Sequence, residues 1–181
     1  MANIYIHIPF CKSKCKYCSF VSYPSLELKE KYVDALIKEI KTNYKNELAE
    51  TIYFGGGTPS VLTCDEFSSI INLFKKDKNT EITAEFNPEN PDKKYLKKIK
   101  DAGINRISFG SQTFNDKILK LIGRRHCAQD TITSVQYAKD AGFKNISLDF
   151  IYGLPEQTIE IFEDDLKKLF NSMFNIFLCT V

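Results

Sequence analysis

The 181-residue chain carries 25 Lys and Arg against 23 Asp and Glu, with 43% hydrophobic residues and a mean hydropathy of −0.26, enough for one domain with a full core and too little for two large ones. The near balance of charge offers no polycation to displace counterions from a nucleic acid, and no apolar run approaches a membrane span. The opening MANIYIHIPF lacks a basic n-region and a small-residue cleavage site, so a cytoplasmic protein is expected.

A first strand is expected over residues 3–8, where Ile4, Ile6 and Ile8 share one face and Tyr5 and His7 the other. The segment HIPFCKSKCKYCSF then brings Cys11, Cys15 and Cys18 into one loop. A helical pattern over 27–48 leads to a second strand over 51–55 that runs into GGGTP at 55–59. Thr63 and Glu66 form a capping-box start for a helix over 64–76. Further strands are expected over 80–87, 105–111, 146–152 and 175–180, and further helices over 92–102, 128–141 and 158–170. KDAGINRISF at 100–109 and KDAGFKNISL at 139–148 nearly repeat, each a helix end, a glycine suited to the left-handed cap, and a strand start. Six strands alternating with helices imply a parallel sheet with right-handed crossovers.

Alternation also distinguishes a flat sheet from a curled one. Thr83, Glu85 and Asn87 share a face of the third strand, Arg106, Ser108 and Gln112 of the fourth, Ser147 and Asp149 of the fifth. A doubly wound sheet buries both faces and its strands read continuously apolar. Here one face of each strand is polar, and a buried polar face requires a ligand or water. The expected fold is an open (βα)6 partial barrel of the TIM type, oily side toward the helices and polar side lining a lumen. Chemistry then sits at the C-terminal strand ends, where the cysteine loop, GGGTP, Gln112 and the YGLP loop fall.

Three cysteines at C-x3-C-x2-C supply three metal ligands. A structural zinc normally takes a fourth Cys or His with local spacing, whereas an iron-sulfur cluster with one iron left open uses three thiolates and can bind a substrate. A noncatalytic zinc module is the remote alternative. Cys64, Cys127 and Cys179 are scattered and are expected to act as small buried hydrophobes. The lysines at 93, 94, 97, 98 and 100 read as a solvated helix face around Leu96 and Ile99. His7 serves equally well as a satisfied core histidine or a functional one, and His126, after two arginines, is expected on the surface with no role.

C-x3-C-x-Tyr-C after a first strand and GGGTP after a second resemble the radical S-adenosylmethionine (SAM) superfamily. YIHIPFC, YFGGGTPS, EFNPEN, RISFGSQTF, LIGRRH and LDFIYGLPEQT are similar to its branch of oxygen-independent coproporphyrinogen III oxidases and related haem chaperones. The resemblance runs from about residue 4 to 171 and implies a [4Fe-4S] cluster on Cys11, Cys15 and Cys18, with SAM on the open iron. It places Gly56, Gly57 and Thr58 at the methionine amino group, and Glu85, Gln112, Arg124 and Asp149 at the ribose and carboxylate. Tyr17 falls beside the adenine, and Tyr5 faces the same lumen. It further implies reductive cleavage of SAM to methionine and a 5′-deoxyadenosyl radical, haem or a porphyrinogen as a further ligand, and an electron donor such as a flavodoxin or ferredoxin. No side chain is assigned as catalytic.

Two departures bear on activity. The oxidase carries a further cysteine two positions after the third, where this chain has Phe20, as in the chaperone-like branch. The chain also ends at Val181, near the expected sixth strand. Residues 1–181 are therefore expected to form a radical SAM core without the C-terminal substrate or haem domain, prone to low stability or association at its open edge. A haem chaperone is the favoured reading over a true oxidase.

Overall fold

The computed structural model describes residues 1–89, 92–171 and 178–180. Strands β1 (Ala2–Ile8), β2 (Ala49–Gly56), β3 (Glu81–Phe86), β4 (Arg106–Gln112), β5 (Asn145–Ile151) and β6 (Leu178–Thr180) pair in parallel in the order of the chain. A doubly wound sheet reverses its strand order at a switch point. This sheet does not, so it is an arc of barrel, as the polar faces imply. Residues 175–177 of the expected sixth strand, and Asn90 of EFNPEN, lie outside the described residues.

The helices are α1 (Lys29–Asn43), α2 (Cys64–Ile71), α3 (Lys93–Asp101), α4 (Asp116–Leu121), α5 (Ala128–Asp140) and α6 (Ile159–Asn171). At α2 the Thr63 hydroxyl accepts from Glu66 N at 3.1 Å and Thr63 N donates to the Glu66 carboxylate at 2.7 Å, the capping box read from the sequence. The KDAG repeat also holds: Gly103 N and Ile104 N donate to Lys100 O and Ile99 O, and Gly142 N and Phe143 N to Lys139 O and Ala138 O. Both are Schellman-type ends, in which the first residues past the helix satisfy its last carbonyls. A 3-10 turn at Pro59–Val61 and the six-residue α4 were not among the expected elements.

The main core lies between sheet and helices, and Ile118, Ile122 and Leu154 form a second, small cluster. Ile6, Ile8, Ile52, Phe54, Ile82, Phe86, Ile107, Phe109, Ile146 and Leu148 are buried on the outer face of the strands, against Phe67 and Ile70 of α2, Leu96 and Ile99 of α3, and Val135 and Ala138 of α5. Lys93 pairs with Asp140 at 2.8 Å, Lys97 with Asp101 at 2.9 Å, and Lys100 lies over the Phe143 ring. The basic run on α3 is thus a helix surface, as expected. Of the scattered cysteines, Cys64 and Cys127 are only half-buried, which corrects the expectation of buried thiols. Cys64 opens α2, and Cys127 is the residue preceding α5, so both sit at helix starts near the surface. The side chain of Cys179 lies outside the described residues.

Candidate functional site

The inner face is assembled by register. Tyr5 lies opposite Tyr53, Glu85 opposite Ser108, Ser108 opposite Ser147, and Gly110 opposite Asp149. Side chains that alternate along each strand therefore become neighbours across the sheet. Arg106 donates to Ser147 at 3.1 Å and to Thr83 at 3.3 Å, Ser147 contacts Ser108 at 2.9 Å, and Ser108 donates to Asp149 at 2.9 Å. Tyr53 donates to Glu85 at 2.7 Å and stacks on Tyr5, ring centroids 6.1 Å apart. Tyr5 itself is 60% exposed at the sheet edge, and its hydroxyl lies 3.3 Å from His7 Nδ1. His7 Nε2 donates to Val21 O at 2.9 Å, which ties β1 to the loop beyond the cysteines.

Two carboxylates dominate this face. Burial raises Glu85, and the nearby Asp149 charge adds to the rise against the Tyr53 hydroxyl and the Gly56 backbone. Burial likewise raises Asp149, opposed by Ser108, Arg106 and Arg124. Among the described residues one side-chain donor reaches each, Tyr53 and Ser108, although an ionised carboxyl can accept several. Such under-served acceptors on a lumen wall fit a polyhydroxyl ligand.

The cysteine loop is held from several sides. Gly57 N donates to Ile8 O and Thr58 N to Phe10 O, both at 2.8 Å; Cys11 N and Tyr23 N exchange bonds with Tyr23 O and Pro9 O; Lys16 N donates to Ile122 O at 3.0 Å. Gly57 permits this approach, since a Cβ there would stand 2.7 Å from Phe10 O. Gly56 has φ +110°, and a Cβ on it would meet the His7 ring at 2.6 Å. The GGGTP motif is therefore needed to seat the loop as well as being open to a ligand.

Two of the three thiols accept hydrogen bonds. Thr58 donates its hydroxyl to Cys11 Sγ at 3.4 Å, and Arg124 Nη1 to Cys15 Sγ at 3.6 Å. Donors aimed at sulfur favour thiolate, the form that ligates iron. Among the described residues no three or more His, Cys, Asp or Glu side chains converge on a single ion. A cluster takes one thiolate per iron, so thiols spread round a loop suit it. The donor set fits a cluster.

Arg124 also donates through Nη2 to Asn87 Oδ1 at 2.9 Å and to Gly110 O, and through Nε to His126 Nδ1 at 3.3 Å. The chain bulges between Gly110 and Gln112, where Gln112 takes φ +66°. The bulge folds Gln112 back so that its amide lies over Gly110, beside Arg124 and Asn87. Tyr17 lies near Arg124, and burial pushes its hydroxyl up to about 12. His126 corrects the expectation of a surface residue: it is 4% exposed, and burial followed by the Arg124 charge pulls it down to about 4. Asn87 and Ser108, placed on the lumen face by alternation but given no role, join these contacts, as do Tyr53 and His126. Strand alternation would have signalled Tyr53 as well.

A family model, the radical SAM superfamily, matches residues 5–169. The chain is 39% identical over 171 residues to the haem chaperone HemW of Lactococcus lactis, covering 92% of this chain and 45% of that protein. It is 38% identical over 172 residues to the oxygen-independent coproporphyrinogen III oxidase of Helicobacter pylori, covering 88% of this chain and 37% of that one. The structure of the Escherichia coli coproporphyrinogen III oxidase HemN superposes with a TM-score of 0.88 at 29% identity, over 98% of this chain and 43% of that chain. The chain thus spans less than half the length of these relatives. A family model running through all but the last strand, from β1 to α6, means that the chain belongs to the radical SAM superfamily.

Proposed function

We propose that Cys11, Cys15 and Cys18 hold a [4Fe-4S] cluster and that the lumen face binds SAM against it. When bound together, this pair supplies one-electron reductive cleavage of the SAM sulfonium. The observation that carries the reading is the convergence of the cysteine loop, the GGGTP turn, Glu85, Gln112, Arg124 and Asp149 at one end of one sheet face. In this reading Gly56, Gly57 and Thr58 offer backbone groups to the methionine amine. Glu85 and Asp149 accept from the ribose hydroxyls, Arg124 and Gln112 face the carboxylate, and Tyr5 and Tyr17 flank the adenine. The core closes water out behind this face, which strengthens each polar contact.

In a protein of the relatives' length, residues 1–181 would be the cofactor core of a cytoplasmic haem-handling protein. Reduction by a flavodoxin- or ferredoxin-like carrier completes the proposal. The haem chaperone reading is favoured over porphyrinogen oxidation by Phe20, which stands where the oxidase has its further cysteine and is 62% exposed beside the cluster loop. Oxidation remains the second reading, supported by the Helicobacter relative. Anaerobic reconstitution tests the core claim: about four irons and matching sulfide per chain are expected, with an EPR signal that changes when SAM is added. Stoichiometric zinc without sulfide would refute it.

A further inference from the structure

We infer that Arg124 sets the reduction potential of the cluster by donating a hydrogen bond to the Cys15 thiolate, and that His126 is the positioning residue that aims it. The inference rests on the reading of Cys15 as a cluster ligand. An arginine has five N–H donors in a rigid fork. Nε is committed to His126, both hydrogens of Nη2 to Asn87 and Gly110 O, and one hydrogen of Nη1 to Cys15 Sγ. At most one N–H is left over, and the Tyr17 hydroxyl stands close by. The guanidinium cannot turn to grip a carboxylate with two parallel bonds without giving up one of these partners. Its Nη2 and Nε bonds fix the plane of the guanidinium, and in that plane Nη1 is aimed at the cysteine loop.

The backbone repeats the connection. Lys16 N donates to Ile122 O, and a Cβ placed on Gly123 would lie 3.5 Å from Lys16 Cγ and 3.9 Å from Cys15 Cα, so the segment carrying Arg124 is docked against the cysteine loop. His126 Nε2 faces a carbonyl, Ser111 O at 3.3 Å, and must donate to it. Nδ1 is then the unprotonated nitrogen, free to accept from Arg124 Nε. The imidazole locks into one tautomer between a strand carbonyl and the guanidinium, as an outer partner that orients an inner one. Hydrogen bonds to cluster sulfurs are among the factors that set the potential. A cationic donor stabilises the reduced, more negative state.

The test uses the chain reconstituted anaerobically without SAM, iron and sulfide per chain, and a redox titration followed by EPR. Arg124→Gln should hold the cluster and titrate at a more negative potential, with the reduced-to-oxidised ratio lower by about tenfold at the wild-type midpoint, about 59 mV for one electron. His126→Leu should shift it the same way by less. His126→Gln, whose amide can accept from Nε and donate to Ser111 O, should return it toward wild type. Arg124→Gln titrating at the wild-type potential with full cluster content would overturn the inference and leave the ligand assignment standing. Should Arg124→Gln hold no cluster, an unmoved potential in His126→Leu overturns it instead. A wild-type chain that assembles no cluster overturns the site reading as well.

Discussion

Changing the buried His126 to Gln should flatten the acid limb of the stability profile. Its side chain is 4% exposed, and burial with the Arg124 charge holds it at about 4, below its ordinary 6.5. A folded value below the unfolded one means that the unfolded chain binds the proton first. Stability is then full above about pH 6.5, falls as the pH drops toward about 4, and loses nothing more from this group below that. At about 1.4 kcal/mol per pH unit, the interval amounts to about 3 kcal/mol in all, and about 2.5 kcal/mol between pH 7 and pH 4.5. Glu85, Asp149 and Asp165 act in the opposite sense, because burial raises each of them and the folded chain takes up their protons first. A comparison of variant and wild type at each pH cancels that contribution. Glutamine has no proton to gain and keeps both hydrogen bonds. Urea denaturation of the metal-free chains, followed by circular dichroism at the two pH values, should show the variant losing about 2.5 kcal/mol less than wild type. Parallel profiles would mean that His126 titrates normally and that its burial is wrong.

Replacement of Cys11, Cys15 or Cys18 by Ala should abolish cluster assembly while Cys64→Ala, at the start of α2, leaves it intact, as read by iron and sulfide content; equal losses from all four would refute the ligand set. Asp149→Asn should weaken SAM binding by roughly 1–3 kcal/mol, because the ribose loses a charged acceptor, and calorimetry with unchanged affinity would reject its role. Gly57→Ala should impair cluster loading, since its Cβ would lie 2.7 Å from Phe10 O, and wild-type iron content would show that the loop can shift freely. Reduced, reconstituted chain should release 5′-deoxyadenosine slowly and form no protoporphyrinogen, because Phe20 stands where the oxidase has its further cysteine; chromatographic detection of coproporphyrinogen decarboxylation would reverse the preference for the chaperone reading.

Most of this site could be read before any fold was known, for a specific reason. A parallel barrel strand with one oily and one polar face announces its lumen through simple alternation, so Glu85, Ser108 and Asp149 could be grouped from their spacing alone. Alternation also puts Gln112 on the lumen face but does not show how it gets there: the strand bulges between Gly110 and Gln112, and the side chain folds back over the glycine. Helix α4 spans six residues, too few for a period to show, although Asn115 caps it through bonds to Lys117 N and Ile118 N. His126 was misjudged because two preceding arginines suggest a surface. Its burial depends on Ser111 and Arg124 meeting in space, which no local pattern contains.

The same contacts explain how a loop without regular structure can present three thiols in a fixed place. Between Pro9 and Tyr23 its anchors come from three separate parts of the chain: β1 through His7 to Val21 O, the GGGTP turn through Thr58, and the segment after α4 through Ile122 and Arg124. Each anchor ends on the backbone or the sulfur of the loop, none on an exposed side chain. A loop tied at one point would give up conformational entropy when the cluster formed; one tied at three has given up much of it on folding. The three thiols are thereby preorganised for the proposed cluster, and the anchor after α4 is the one that also delivers a cation to sulfur. The segment LIGRRH therefore combines three tasks in six residues: Ile122 O fixes the loop, Arg124 engages a thiol, and His126 fixes Arg124. A role toward a SAM carboxylate alone gives no physical reason for a guanidinium that bonds four groups of the protein itself.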